Sequence, residues 1–136
     1  MKKINKNRKK ILVDMTVSIL HHGHIRLLKK ASKLGKVIVA LTVDKEILLN
    51  KGYKPELKFE FRKEILNSIK YVYKVIPSPF IITDKYLDKH KINILIHGND
   101  NKNKWYNHKY ILLKRTKNIS SAILRKKSCL VLKKLN

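Results

Sequence analysis

The chain lacks the residues that disulfide scaffolds and membrane spans require. Its 136 residues contain one cysteine, Cys129, so no intramolecular disulfide can form. No apolar run approaches the roughly 20 residues that span a bilayer. No secretory-type apolar core follows the basic tail at residues 1–10, because the apolar residues 11–13 run directly into Asp14. We therefore exclude disulfide scaffolds and membrane spans and expect a cytoplasmic protein.

Acidic residues are also scarce. Nine Asp and Glu stand against 33 Lys and Arg, which gives a formal net charge of +24. An excess of this size attracts polyanions such as nucleic acid, acidic membranes and nucleotides. However, the aromatic content is only 7%, without the alternation of basic and aromatic residues that stacks bases. Most of the lysines are expected to be solvated, and nucleic-acid binding is kept as an alternative interpretation.

The apolar residues that are present predict one compact α/β domain. Helices and strands alternate along the chain, which indicates a Rossmann-like single domain with a mainly parallel sheet and helices on both faces. We place this domain at residues 11–128, between basic tails at 1–10 and 129–136. Its ligand is expected beyond the carboxyl ends of the strands. Strands are predicted at 11–13, 37–43, 72–76, 92–96 and 110–113, and helices at 24–34, 59–69, 84–90 and from Ser120 or Ser121 to about 127.

Three histidines surround a glycine between the first strand and the first helix, in the motif His21-His22-Gly23-His24. Backbone N–H groups and the positive end of the helix would meet a phosphate there, and Gly23 would let the backbone approach closely. His21 and His24 could donate to phosphate oxygens as negative charge grows. A metal pair, which lacks a third ligand, and coincidental surface histidines are the alternatives.

Together with the segment RTKNISS at 115–121, the histidine motif resembles the cytidylyltransferase family of the HxGH nucleotidyltransferase superfamily. This family includes glycerol-3-phosphate, choline-phosphate and ethanolamine-phosphate cytidylyltransferases. The resemblance extends over residues 11–126. It includes, in family order, KG at 51–52, EFR at 60–62 and GND at 98–100.

The resemblance implies a role for each matching residue. His21 and His24 would bind the triphosphate and stabilise the transition state, and Lys51 and Arg115 would neutralise phosphate charge. The nucleotide-binding residues that it implies are Thr16, Val17, Gly23, Arg62, Gly98, Asp100, Thr116, Ile119, Ser120 and Ser121. The ordinary alternatives are a solvent-facing Arg62, paired with a neighbouring glutamate, and a plain N-cap pair at Ser120 and Ser121.

The chain departs from the family pattern in three motifs. Family members usually have Gly-(Thr or Ser)-Phe-Asp where residues 15–18 read Met-Thr-Val-Ser, and Gly-Asp-Asp where 98–100 read Gly-Asn-Asp. The family's Gly-Ile-Ser-Thr is replaced by Asn-Ile-Ser-Ser at residues 118–121, and Asn tolerates positive φ. Because an acidic position is lost at Ser18, an inactive nucleotide-binding relative is a further alternative.

The activity that the resemblance implies is transfer of CMP from CTP, with Mg²⁺, to a small phosphorylated alcohol. The CDP-alcohol would be a precursor of phospholipid or of the cell envelope. Glycerol 3-phosphate is the favoured acceptor, because cationic headgroups are expected to need carboxylates or an aromatic cage. Tyr53, Trp105 and Tyr106 lie in candidate loops for such a cage. An adenylyltransferase of the same superfamily is the nearest alternative enzyme, and the resemblance also implies a homodimer.

Overall fold

A computed structural model describes residues 8–98 and 108–136. The elements alternate between strand and helix along most of the chain. They are β1 (Lys10–Met15), α1 (His22–Ser32), β2 (Lys36–Thr42), α2 (Asp44–Lys51), α3 (Phe59–Asn67), β3 (Lys74–Ser78), α4 (Asp84–Lys89), β4 (Ile94–Gly98), β5 (Lys109–Leu113) and α5 (Ser121–Leu135).

The described strands form one parallel sheet in the order β3-β2-β1-β4-β5. In the centre, Ile11 of β1 pairs with Val37 of β2 on one side and with Ile94 of β4 on the other. Along the chain, β2 and β3 are therefore added on one side of β1, and after a crossover β4 and β5 are added on its other side. Such a switch in strand order opens a crevice at the carboxyl ends of the two central strands.

Apolar side chains cover both faces of the sheet. On one face Leu28 and Ala31 of α1 and Leu66 of α3 are buried against the strands. On the other face Leu87 of α4 and Ile82, which precedes α4, are buried in a second cluster. Burying one leucine side chain contributes about 2 kcal/mol. The predicted α/β domain with helices on both faces is confirmed.

Several predicted boundaries differ from the structure. Helix α2 was not predicted, because Ile47 is its single buried residue and its sequence has almost no apolar periodicity. Pro77, expected in a loop, lies in β3 opposite Leu41, at the edge of the sheet where proline is tolerated. Thr83, rather than Asp84, caps α4, because its side chain accepts a hydrogen bond from the Tyr86 N–H.

Gly35 does not cap α1, which ends at Ser32 with Lys33 as its C-cap. A Cβ at Gly35 would lie 2.2 Å from the backbone oxygen of Lys9. The glycine is therefore needed for the close approach of two chain segments rather than for a helix cap.

Helix α5 is longer than predicted, because it continues to Leu135 instead of ending near residue 127. No proline or glycine interrupts the sequence there, and Leu and Lys are good helix formers. None of the residues of α5 is buried. Within the described ranges, no helix combines the length and the apolar character that crossing a bilayer requires.

Candidate active site

A cavity of about 600 Å³ lies beyond the carboxyl ends of β1 and β4, beside the N-termini of α1 and α5. The predicted site residues converge on it, except for Arg62, and Asp100 lies outside the described residues. Those that line it are Thr16, Val17, His21, Gly23, His24, Lys51, Gly98, Arg115, Thr116, Ile119, Ser120 and Ser121. The sheet thus brings together residues that are up to about a hundred positions apart in the sequence.

The histidine motif begins α1 and caps it with its own side chains. Nδ1 of His21, the N-cap residue, accepts a hydrogen bond from the Gly23 N–H at 3.1 Å. Nδ1 of His24 accepts from the His21 N–H at 3.2 Å. Because both Nδ1 atoms are acceptors, the proton of each neutral ring is on Nε2. Each ring therefore presents an N–H donor from a position that the backbone fixes.

The surroundings of both rings favour the neutral imidazole. Burial is the main cause that lowers the pKa of His24 to about 4, and the charges of His21 and Arg115 lower it further. Burial, followed by the charges of His22 and Arg115, lowers the pKa of His21. The two ring centres lie 3.9 Å apart, so two imidazolium cations would repel each other there. The site therefore offers two neutral hydrogen-bond donors.

Gly23 makes room for the first histidine ring. A Cβ at this position would lie 2.9 Å from Cε1 and Nδ1 of His21, and 3.3 Å from Cγ2 of Ile119. A side chain here would displace the ring from its hydrogen bond with the Gly23 N–H. The glycine is thus required by the packing of the motif itself.

The N-terminus of α5 reaches the same cavity. Ser120 is its N-cap, and its Oγ accepts from the Ile123 N–H at 3.1 Å. The Ser121 hydroxyl donates to the backbone oxygen of Ile19 at 3.2 Å, which ties α5 to the segment between β1 and α1. Asn118 has φ 62°, the left-handed conformation that was expected to be tolerated at this residue. Two helix N-termini therefore share one cavity.

Six cationic side chains of the described residues line the cavity. Lys51 is the last residue of α2, followed by Gly52 with φ 76° as the C-cap. The sequence interpretation gave no site role to four further cationic residues of the lining. These are Arg26, Lys30, Lys114 and Arg125. Arg26 and Lys30 lie four residues apart on the polar face of α1, a spacing that could have identified them.

Asp14 is the only carboxylate among the described residues that line the cavity. Its Oδ1 lies 2.6 Å from Nδ1 of His97, and the two side chains are 23% and 2% exposed. Val13 and Ile96 are register partners in β1 and β4, so Asp14 and His97 follow side by side at the strand ends. Neither residue was predicted. For each of them, the signal available in the sequence was a single polar residue within an otherwise buried strand.

Arg62 lies behind the cavity and does not line it. It is 1% exposed and donates to the backbone oxygens of Thr16 at 2.7 Å and Thr42 at 3.0 Å. It also donates to Leu57 O at 3.0 Å and pairs with Asp44 at 2.5 Å. This geometry fits neither the predicted nucleotide contact nor a solvent-facing arginine. Arg62 joins the ends of β1 and β2 to α2.

Fold and site together define an α/β protein with a cavity lined by cationic side chains at the switch in strand order. The model of the cytidylyltransferase-like family matches residues 16–128. The chain belongs to this family, and it is a nucleotidyltransferase.

Two curated relatives and one solved structure illustrate the match. The chain is 36% identical over 126 residues to glycerol-3-phosphate cytidylyltransferase of Bacillus spizizenii, covering 87% of this chain and 95% of the relative. It is 34% identical over 93 residues to mouse ethanolamine-phosphate cytidylyltransferase, covering 67% of this chain but 23% of that protein. A lipopolysaccharide core biosynthesis protein from Thermoplasma volcanium GSS1 has the same fold, with a TM-score of 0.71 and 22% identity, over 81% of this chain and 99% of that structure.

Proposed function

We propose that this protein transfers CMP from CTP to a small phosphorylated alcohol. An oxygen of the acceptor phosphate attacks the α-phosphorus, the bond from that phosphorus to the bridging oxygen breaks, and pyrophosphate leaves. The observation that carries this proposal is the pair of backbone hydrogen bonds to Nδ1 of His21 and His24, which leave the Nε2–H of each neutral ring as a donor beside a cavity lined by cations. Fixed donors that meet growing negative charge are an effective form of electrostatic catalysis.

The other lining residues support the same reaction. Lys51 and Arg115 supply positive charge for the phosphates, Lys51 as a mobile point charge and Arg115 as a planar fork. The N-terminus of α5, capped by Ser120, offers backbone N–H groups to the departing pyrophosphate. None of these groups has to form a covalent bond with the substrate, so the reaction is a direct displacement.

We propose that Mg²⁺ arrives with the nucleotide. The described part of the chain holds no cluster of three or more His, Cys, Asp or Glu side chains that could share a metal ion. The described lining offers one carboxylate, Asp14. A lining with a single carboxylate suits a cation that is held mainly by phosphates and water. When bound, Mg²⁺ would neutralise charge on the triphosphate.

Glycerol 3-phosphate is the first acceptor that we propose, because basic walls suit an anionic acceptor with a polyol headgroup. Ethanolamine phosphate is the second, and the carboxylate of Asp14 favours it. That carboxylate is part of the cavity wall and is held by His97 at 2.6 Å. A carboxylate there would pair with an ammonium group but would contribute only a hydrogen bond to a glycerol hydroxyl.

The test is pyrophosphate release by purified protein with Mg²⁺, each of four nucleoside triphosphates, and each of three acceptors: glycerol 3-phosphate, ethanolamine phosphate and choline phosphate. Release that depends on CTP and on one acceptor supports the proposal, whereas release with ATP alone identifies an adenylyltransferase. Absence of release with every pair contradicts it. Asp14→Asn separates the acceptors, since it would reduce use of ethanolamine phosphate and leave glycerol 3-phosphate nearly unchanged.

We also propose a cytoplasmic homodimer whose CDP-alcohol product serves as a precursor of phospholipid or of the cell envelope. Membership of the family supports the dimer, and the exposed thiol of Cys129 suits a reducing compartment. Sedimentation equilibrium measures the mass in solution. A mass of 16.0 kDa, that of one chain, at micromolar concentration would contradict the dimer.

A further inference from the structure

Arg125 of α5 contacts two residues of the segment between α2 and α3. Its guanidinium pairs with both carboxylate oxygens of Glu56, through Nε on Oε1 and through Nη2 on Oε2 at 2.8 Å. Its Cζ lies 4.5 Å from the centre of the Tyr53 ring. Bidentate pairing and stacking on an aromatic face are the two contacts that suit a planar guanidinium. The three side chains therefore form one cluster.

This cluster contributes little to the global stability of the protein. The side chains of Arg125 and Glu56 are 30% and 45% exposed, and ion pairs in such surroundings are screened by solvent. The hydrogen bond between them raises the pKa of Arg125 and lowers that of Glu56, so both groups are charged across the neutral range. A contact between two groups that stay charged, but that stabilises the fold only weakly, acts on local geometry.

The cluster connects three segments that border the cavity. The Tyr53 hydroxyl lies 3.4 Å from Oγ of Ser18, in the segment after β1. Ser121, one turn before Arg125, bonds to Ile19 in that same segment. The segment after β1, the segment after α2 and the first turns of α5 are thus linked in a ring. Lys51 lies two residues before Tyr53, next to this ring along the chain.

We propose that Glu56 and Arg125 are a positioning pair that holds Lys51 in the cavity, at a fixed place relative to the N-terminus of α5. This inference rests on the proposed function, in which Lys51 neutralises phosphate charge. Lys51 is exposed at the end of a short helix, and its Nζ lies 6.0 Å from the centre of the Phe80 ring. A long side chain in such surroundings depends on its backbone for position, and small displacements of binding groups reduce catalysis strongly.

The experiment compares Glu56→Gln, Arg125→Gln and the charge swap that combines Glu56→Arg with Arg125→Glu. Pyrophosphate release gives KM and kcat for the acceptor, and hydrogen exchange of peptides covering residues 51–58 reports local order without any chemistry. We expect both single variants to raise KM about tenfold, with kcat within about threefold, and to exchange faster at 51–58. The swap should recover most of both effects. Glu64→Gln, which removes an exposed carboxylate from α3, is the matched control.

Each outcome bears on the inference. If Arg125 instead binds ligand directly, Arg125→Gln will raise KM, Glu56→Gln will leave it unchanged, and the swap will do no better than Arg125→Gln. That result would overturn the positioning pair. If the wild-type protein releases no pyrophosphate with any substrate, the proposed function fails, and hydrogen exchange alone then decides. Unchanged exchange at 51–58 in both single variants overturns the pair, and faster exchange that the swap reverses supports it. Unfolding midpoints within a few degrees of wild type exclude global unfolding as the cause.

Discussion

The two helices that begin at the cavity differ in their first turns from the three other helices of the described residues. Helices α2, α3 and α4 carry an acidic residue there, and the first turns of α1 and α5 carry none. A carboxylate in the first turn neutralises the positive end of the helix dipole from within the protein. Without one, that end remains available to an outside anion. Among the described helices, acidic first turns therefore occur away from the cavity and are missing from the two helices that begin at it.

The contrast extends to what each first turn contacts. In α2, Asp44 pairs with Arg62 and also accepts the backbone N–H of Phe59, so its charge is used to join α2 to α3. In α1, His24 occupies the first turn and directs its Nδ1 back to His21. One first turn stabilises the fold, and the other leaves the Nε2–H of His24 for the substrate in the function that we propose.

Removing the donor from α1 should have the largest effect on this contrast. We expect His24→Ala to lower kcat by about 10² to 10³, because a fixed donor to the developing charge is lost. The measurement is pyrophosphate release at saturating CTP and acceptor. His22→Ala, an exposed residue of the same helix, is the control and should retain wild-type kcat. Equal losses in both variants would refute a specific role for His24.

Removing the buried cation that pairs with the first turn of α2, Arg62 of α3, tests the other side of the comparison. Arg62→Met would leave Asp44 without its partner and the buried backbone oxygen of Thr42 without its donor. We expect the free energy of unfolding to fall by about 3 kcal/mol, as measured by urea denaturation. Lys63→Met, the next residue along α3, should change it by less than about 0.5 kcal/mol. A small loss for Arg62→Met would mean that the buried arginine does not stabilise the fold.

Supplying α5 with the acid that it lacks should make its first turn resemble those of α2, α3 and α4. Ala122 is exposed in the first turn of α5 and lines the cavity. A glutamate there would compete with ligand phosphates for the helix end, and we expect Ala122→Glu to weaken CTP binding by about tenfold. Isothermal titration measures the Kd. Phe61→Glu adds the same charge to α3, and an equal loss of affinity in that variant would show a nonspecific charge effect.

The smallest effect concerns pH. Since the folded pKa of His24, about 4, lies below its ordinary 6.5, the unfolded chain binds a proton that the folded chain does not. The free energy of unfolding should therefore decrease as pH falls from 6.5 towards 4, and His24→Ala should reduce that slope. Urea denaturation at pH 7 and pH 5 checks this. From pH 6 to 8 His24 stays neutral and should contribute no pH dependence to kcat.

The sequence could predict those parts of the site that depend on neighbouring residues. The histidine motif, the capping serine and the left-handed Asn118 are local features, since each depends on residues within one turn. The apolar strands and the α/β class could be predicted for the same reason. Helix α2 could not, because one buried residue, Ile47, gives no periodicity to detect.

What the sequence by itself determined is the alternation of strand and helix and the chemistry of each motif, because propensity and periodicity act over short stretches of chain. Only the tertiary structure decided which distant residues meet. It placed Asp14 beside His97 at two neighbouring strand ends, turned Arg62 inward to four protein acceptors, and set Arg125 against Glu56. These contacts depend on parallel strand order and on burial, which couple residues through space rather than along the chain.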